Sequence, residues 1–157
     1  MTLPPYFTAA SARAAGVSRA TLRGPGFLRL AHDLTVRLDD AIDDCERLRL
    51  LALLLPDDAA FSHATAAAVF DAPIDAPKRP HVALTPRRVL PQHAGLVVHG
   101  RRLSDEDVVV HRELRLTSGA QTFLDLAAGV PSWELVAIGD ALLRAGHLTP
   151  ESLGRRL

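Results

Sequence analysis

Apolar positions in the first forty residues come in short runs divided by glycine and proline. Thr8 is placed to cap a helix ending near Ala15, with Ala9, Ala12 and Ala15 on one face and Gly16 as its stop. Ser18 opens a second short helix, Arg19 to Arg23, which Gly24-Pro25-Gly26 ends abruptly. Phe27-Leu28-Arg29-Leu30 and Leu34-Thr35-Val36-Arg37 then read as two strands around His32-Asp33. Helix, glycine turn, helix, hairpin is the order of a winged helix-turn-helix.

The pattern then lengthens. Asp39 to Leu55 predicts one helix with acids in its first turns, where they complement the dipole, and Ile42, Cys45, Leu48 and Leu51 or Ala52 on its apolar stripe. Pro56 ends it. Ser62 caps an alanine-rich helix, His63 to Phe70, and three prolines mark 71–80 as a loop. Strand-like stretches follow at His81–Thr85, Leu96–His99 and Val108–Leu116, with the first two expected to pair as a hairpin. Helices are predicted over Gln121–Ala128, after Pro131 to about Ala145, and from the cap Thr149 onward. The expected fold class is α+β. It comprises a winged helix-turn-helix over 1–38, then a small mixed α/β domain over 39–157 with a short sheet and C-terminal helices.

Composition narrows the class. Hydrophobic residues make up 48% of the chain but aromatics only 4%, so the core must be built from Leu, Val and Ala. Lys plus Arg and Asp plus Glu number 18 each, so net charge gives no reason to expect a polyanion partner. Its distribution does. Residues 1–31 carry Arg13, Arg19, Arg23 and Arg29 and no carboxylate, whereas residues 32–60 carry eight acids against three arginines. A single cysteine, Cys45, excludes an internal disulfide framework and a multi-cysteine zinc site, and fits the cytoplasm. No secretory leader or membrane span is expected: Met1 to Pro5 lacks a basic and apolar pair of regions, and Leu50–Leu55 is too short to cross a bilayer.

The residues expected to touch DNA are Ser18, Arg19, Thr21 and Arg23 on the second helix, with Arg13 and Arg29 on phosphates. Arg19 and Arg23 are four apart and share a helix face. Arg87, Arg88, Arg101 and Arg102 form a second basic cluster, suited to phosphate, to an acidic partner or simply to solvent. No metal site or cofactor is expected: no histidine pair has ligand spacing on a helix, and His99 and His111 would meet only by chance. His63 reads as a hydrogen-bonded structural histidine, Cys45 as core, and Asp125 as paired with a buried donor. No nucleophile elbow, phosphate loop or dinucleotide fingerprint is present, so no enzymatic activity is expected.

Taken together, Phe7-Thr8, Ala14-Ala15-Gly16-Val17-Ser18-Arg19, Leu22-Arg23 and Phe27-x-Arg29-Leu30 resemble the N-terminal winged helix of the AbiEi-type antitoxin family of type IV toxin–antitoxin systems. Phe61-Ser62-His63-Ala64-Thr65-Ala66, Leu96-Val97-Val98-His99, Thr122-x-Leu124-Asp125-Leu126-Ala127 and Gly139-Asp140-Ala141-Leu142-Leu143 are similar to its middle region. The chain departs from that pattern at Asp33-Leu34-Thr35, where relatives close the wing with Gly-Val-Tyr, and at Gly119 and Gln121, where they carry Pro and Arg. The resemblance implies DNA binding at an operator and a toxin protein as partner. Many relatives also carry a C-terminal Vsr-type endonuclease domain, and this sequence is expected to stop before one. Two other readings stay open: a protein-interaction module, and the front part of a nuclease-type protein.

Overall fold

The computed structural model describes residues 6–24, 27–31, 34–37, 43–53, 55–86 and 95–156. Among them the chain is mixed α+β, with six α-helices and two sheets. It divides into two compact units, Met1–Leu54 and Leu55–Leu157. The helix after the first sheet falls within the N-terminal unit.

The first unit begins with β1 (Tyr6–Phe7), which the sequence reading did not anticipate, and α1 (Ala9–Ala14). Six residues make no stable helix alone. Thr8 and Ser11 cap α1 reciprocally at its start. At its end, the N–H of Val17 donates to Ala12 O and that of Gly16 to Arg13 O, with Gly16 at φ +78°. That is a Schellman stop, and it needs a residue free to turn left-handed. The expected second helix is much shorter: only Thr21–Arg23 winds, as a 3₁₀ turn. Gly24 is already extended (φ −73°, ψ 167°), as a residue before proline is pushed to be. β2 (Phe27–Ala31) and β3 (Leu34–Arg37) pair antiparallel, and β1 adds to β3 to give the order β1-β3-β2. The expected turn at His32-Asp33 lies outside the described residues. Phe7 is buried, with the Phe27 ring edge-on at 6.0 Å. The last helix, α2 (Asp44–Ala52), is shorter than the predicted 39–55. Asp43 caps it by accepting from the N–H of Glu46, and residues 39–42 lie outside the described residues. Leu48 and Leu51 are buried on it, whereas Cys45 is half-buried rather than core.

In the second unit, β4 (Ala60–Phe61), α3 (His63–Val69), β5 (His81–Leu84), β6 (Val97–Gly100), β7 (Val108–His111), β8 (Leu114–Thr117), α4 (Gly119–Ala127), α5 (Ser132–Arg144) and α6 (Pro150–Gly154) build one five-stranded sheet with helices. The strand order is β6-β5-β4-β8-β7. Two expectations are corrected. β5 and β6 are parallel, not a hairpin; residues 85–96 between them are long enough to return the chain to the same end of the sheet. The single strand expected over 108–116 is a tight hairpin, β7–β8, turning at Arg112 and Glu113 with φ of 50° and 63°. Neither residue is the Asn or Gly that normally signals such a turn, which is why the sequence does not announce it.

Phe61, Leu84, Leu114, Leu116, Ile138 and Leu142 are fully buried and form the middle of this unit. Within it, the buried hydroxyls of Thr117 and Thr122 lie 2.8 Å apart, and the Thr122 hydroxyl is also bonded to Thr117 O at 3.1 Å. Thr122→Val keeps the shape but leaves those groups unsatisfied. It should cost about 1–3 kcal/mol in urea unfolding, and a change near zero would show that the hydroxyl pair contributes nothing. No described helix is long and apolar enough to cross a membrane.

Candidate functional site

The residues expected to face a polyanion are placed as follows in the first unit. Arg13 is exposed in the last turn of α1. The Ser18 hydroxyl accepts from the N–H of Thr21 at 3.1 Å, so it caps the 3₁₀ turn. Arg19, Thr21 and Arg23 are exposed in and beside that turn, and Arg29 is exposed on β2. Arg19 and Arg23 were expected four apart on one α-helical face. The 3₁₀ turn starts only at Thr21, so that face does not form as an α-helix. The second basic cluster does not survive as four equivalent cations. Arg87 and Arg88 lie outside the described residues, Arg102 is exposed, and Arg101 is committed to Asp125.

That commitment opens a polar cluster in the second unit that sequence reasoning missed. It starts where β4 runs into α3. Ser62 donates its N–H to His81 O at 3.0 Å, and the N–H of His81 donates to the Thr65 hydroxyl at 2.8 Å, which ties α3 to β5. His63, the first residue of α3, sits at φ +52°. A left-handed backbone is uncommon for a residue other than glycine and is held by its surroundings. The His63 ring stacks on His99 with centroids 3.8 Å apart and planes 16° apart. His81 Nδ1 lies 3.0 Å from His99 Nε2. One ring nitrogen from each of the three imidazoles falls within 4.8 Å of the others. The parallel register explains this meeting: His81 lies opposite Val97 and His99 opposite Ala83, so the two histidines are diagonal neighbours on one face. His99 and His111, by contrast, sit on opposite edge strands, and His111 meets Phe70 and His147 instead.

Behind the histidines stands Asp125 of α4, its side chain fully buried. Its Oδ1 accepts from Arg101 and, at 2.7 Å, from the Gln121 amide. Its Oδ2 has no hydrogen-bond partner among the described residues and lies 3.7 Å from His63 Nδ1. Gln121 passes the network on: its Oε1 accepts from Arg156 at 3.1 Å, and Arg156 pairs with Asp107. Gln121 thus links Asp125 to a cation from beyond the last helix turn.

Burial sets the charges. It lifts the Asp125 carboxyl to about 6, against the pull of Arg101. It lowers His63 to about 4, with His99, His81 and Arg101 adding to the same effect. His81 is lowered by burial and by Arg79, and His99 by burial, His81 and Arg101. Burial thus favours the neutral form of each of these four groups. The hydrogen bond expected for His63 is present, to the Ser62 hydroxyl at 3.0 Å, and the expected donors to Asp125 are Arg101 and Gln121. The signal for the histidines was weak, because each sits alone in its own segment and only strand order brings them together.

Asp107 shows a different balance. Burial alone would raise its carboxyl, but the Ser104 N–H and hydroxyl and the Arg156 guanidinium outweigh that and hold it below the usual range. A depressed carboxylate stabilises the fold at pH above its unfolded value of about 4, and that stability is lost as pH falls through the lower folded value. Unfolding free energy should therefore drop on acidification below about pH 4, and drop less in Asp107→Asn; an identical acid limb in both proteins would contradict the assignment.

No protein-family model matches this chain, and no curated protein matches it.

Proposed function

We propose that this protein is a DNA-binding regulator of the antitoxin kind, without catalytic activity, whose first unit is a winged helix-turn-helix acting in the cytoplasm. The observation that carries the reading is the exposure of Arg13, Arg19, Arg23 and Arg29 in a helix–turn–hairpin unit whose first 31 residues hold no carboxylate. The order α1, 3₁₀ turn, β2, β3 suits the winged plan, with the short turn in the place of a recognition helix. Because that turn is short, few base edges come within reach, and phosphate contacts supply most of the affinity.

A gel-shift titration of the full chain on its own upstream DNA at low salt tests this. A shift is expected, with Arg19→Ala plus Arg23→Ala weakening it at least about tenfold, the equivalent of about 1.4 kcal/mol. No shift, or no loss in the double variant, would overturn the proposal.

A second reading, contact with the toxin protein that the resemblance pairs with such chains, has its own support. Trp133, Val136 and Leu143 are exposed along α5. Val136 and Leu143 also line a cleft of about 310 Å³ with Phe123, Leu148 and Leu153. Large exposed apolar side chains along one helix mark an interaction surface more often than chance. Trp133 is the only tryptophan, so its fluorescence should shift on adding a toxin encoded beside this protein; a spectrum unchanged at saturating toxin counts against the contact.

A further inference from the structure

We propose that His63, His81 and His99 together bind a single Zn²⁺ ion, with Asp125 as the neighbouring buried carboxylate. Four observations converge. First, the three imidazoles each offer a nitrogen within 4.8 Å of the other two. A tetrahedral Zn²⁺ with bonds of about 2.0–2.1 Å needs its ligand nitrogens about 3.3 Å apart, and because an imidazole lone pair lies in the ring plane, His63 and His99 must turn out of their stack to aim at one ion. His81 Nδ1 and His99 Nε2, at 3.0 Å, are already close to it.

Second, the ligand chemistry fits. Imidazole nitrogen is a common zinc ligand, and His63, His81 and His99 bring three of them to one place. Without an ion, one of the two facing nitrogens of His81 and His99 must carry a proton to bond the other. With an ion, that ring proton moves to the opposite nitrogen of the same ring, and both lone pairs face the metal. Three nitrogens leave a fourth position for water, and the rings are only partly buried, so solvent reaches it.

Third, the carboxylate is arranged for a cation. Arg101 and Gln121 satisfy Oδ1 of Asp125, while the fully buried Oδ2 has no hydrogen-bond partner among the described residues and points at His63 from 3.7 Å. Carboxylates placed beside ligating histidines orient them and favour the bound ion. Fourth, His63 holds a left-handed backbone at φ +52°. Such strain persists where a side chain must be held in one place. The arrangement is independent of the DNA-binding proposal, since every residue in it lies in the second unit.

The test is metal binding by the full chain, stripped with chelator and titrated with Zn²⁺ alone by calorimetry at neutral pH. One ion per chain is expected. Co²⁺ in its place should give the visible absorption of a tetrahedral nitrogen–oxygen site. His63→Asn is the variant of choice, because asparagine tolerates the left-handed backbone while removing the imidazole. It and His99→Ala should each weaken binding at least about tenfold, the lower end of what loss of even an outer partner brings. Replacing His111 and His147 together should leave binding unchanged. Circular dichroism establishes that each variant is folded. The proposal is overturned if the wild-type chain shows no one-to-one binding and no cobalt absorption, or if folded His63→Asn and His99→Ala bind as tightly as wild type. It is equally overturned if the ion is lost with His111 and His147.

Discussion

Gly119→Ala should cost the second unit about 3 kcal/mol or more, a large share of the about 5–15 kcal/mol that holds a typical domain folded. A methyl at this position would lie 2.1 Å from the backbone oxygen of His147 and 2.6 Å from its carbonyl carbon. Carbon and its neighbours pack at about 3.5–4.0 Å, so the clash is deep. Both sides of it are backbone, and neither can rotate away. Gly119 opens α4, the helix that carries Gln121, Thr122 and Asp125, so retreat by α4 would pull the buried network apart as well. Gly139 makes a useful contrast. There the added methyl would meet the edge of the Phe123 ring at 2.9 Å, a side chain able to turn, and Gly139→Ala should cost only about 1 kcal/mol. Urea unfolding followed by circular dichroism measures both. Equal costs for the two substitutions would contradict the close approach of α4 to His147.

Phe61→Ala is expected to destabilise the same unit by about 3–5 kcal/mol. β4 is only two residues long, yet it occupies the middle of the sheet, with Val82 opposite Phe61 on one side and Leu116 on the other. Phe61 is the largest fully buried side chain among the described residues. Truncating it removes the aromatic filling of the central strand, in a core that is otherwise mostly Leu, Val and Ala and has little with which to close the gap. The effect should reach the histidines, since Ser62 and His63 follow directly. Imidazole proton resonances of His63 and His99 should move in Phe61→Ala while those of His111 move less. A stability loss below about 1 kcal/mol would show that β4 does not anchor the sheet.

Much of this architecture was readable in the chain itself, and the reasons differ by element. Thr8 and Thr149 cap helices where their side chains announced it, because capping is a local hydrogen bond between residues three apart. Gly16 stops α1 for an equally local reason. The strands at His81 and Leu96 were visible from β-branched runs, but their direction was not, since parallel or antiparallel pairing is decided by the sheet as a whole. The two-residue strands Tyr6–Phe7 and Ala60–Phe61 are too short to carry any periodicity. The turn at Arg112-Glu113 lacks the residues that mark such turns, and the second short helix shrank to one 3₁₀ turn under Gly24-Pro25.

The exposed arginines of the first unit followed from charge counting alone. The histidine cluster did not. His63, His81 and His99 follow one another at steps of 18 residues along the chain, in a helix start and two strands. Nothing in their spacing links them; a parallel register and a left-handed residue do.

The most direct test of the nucleic-acid reading is the salt dependence of binding. Fluorescence anisotropy with a labelled duplex of the upstream region, read across rising salt, gives the number of phosphates engaged. If Arg13, Arg19, Arg23 and Arg29 each neutralise one, the logarithm of the association constant should fall against the logarithm of salt with a slope of about −3.6, reduced to about −1.8 in Arg19→Ala plus Arg23→Ala. A slope near zero, a slope unchanged in the double variant, or no binding at low salt would contradict it.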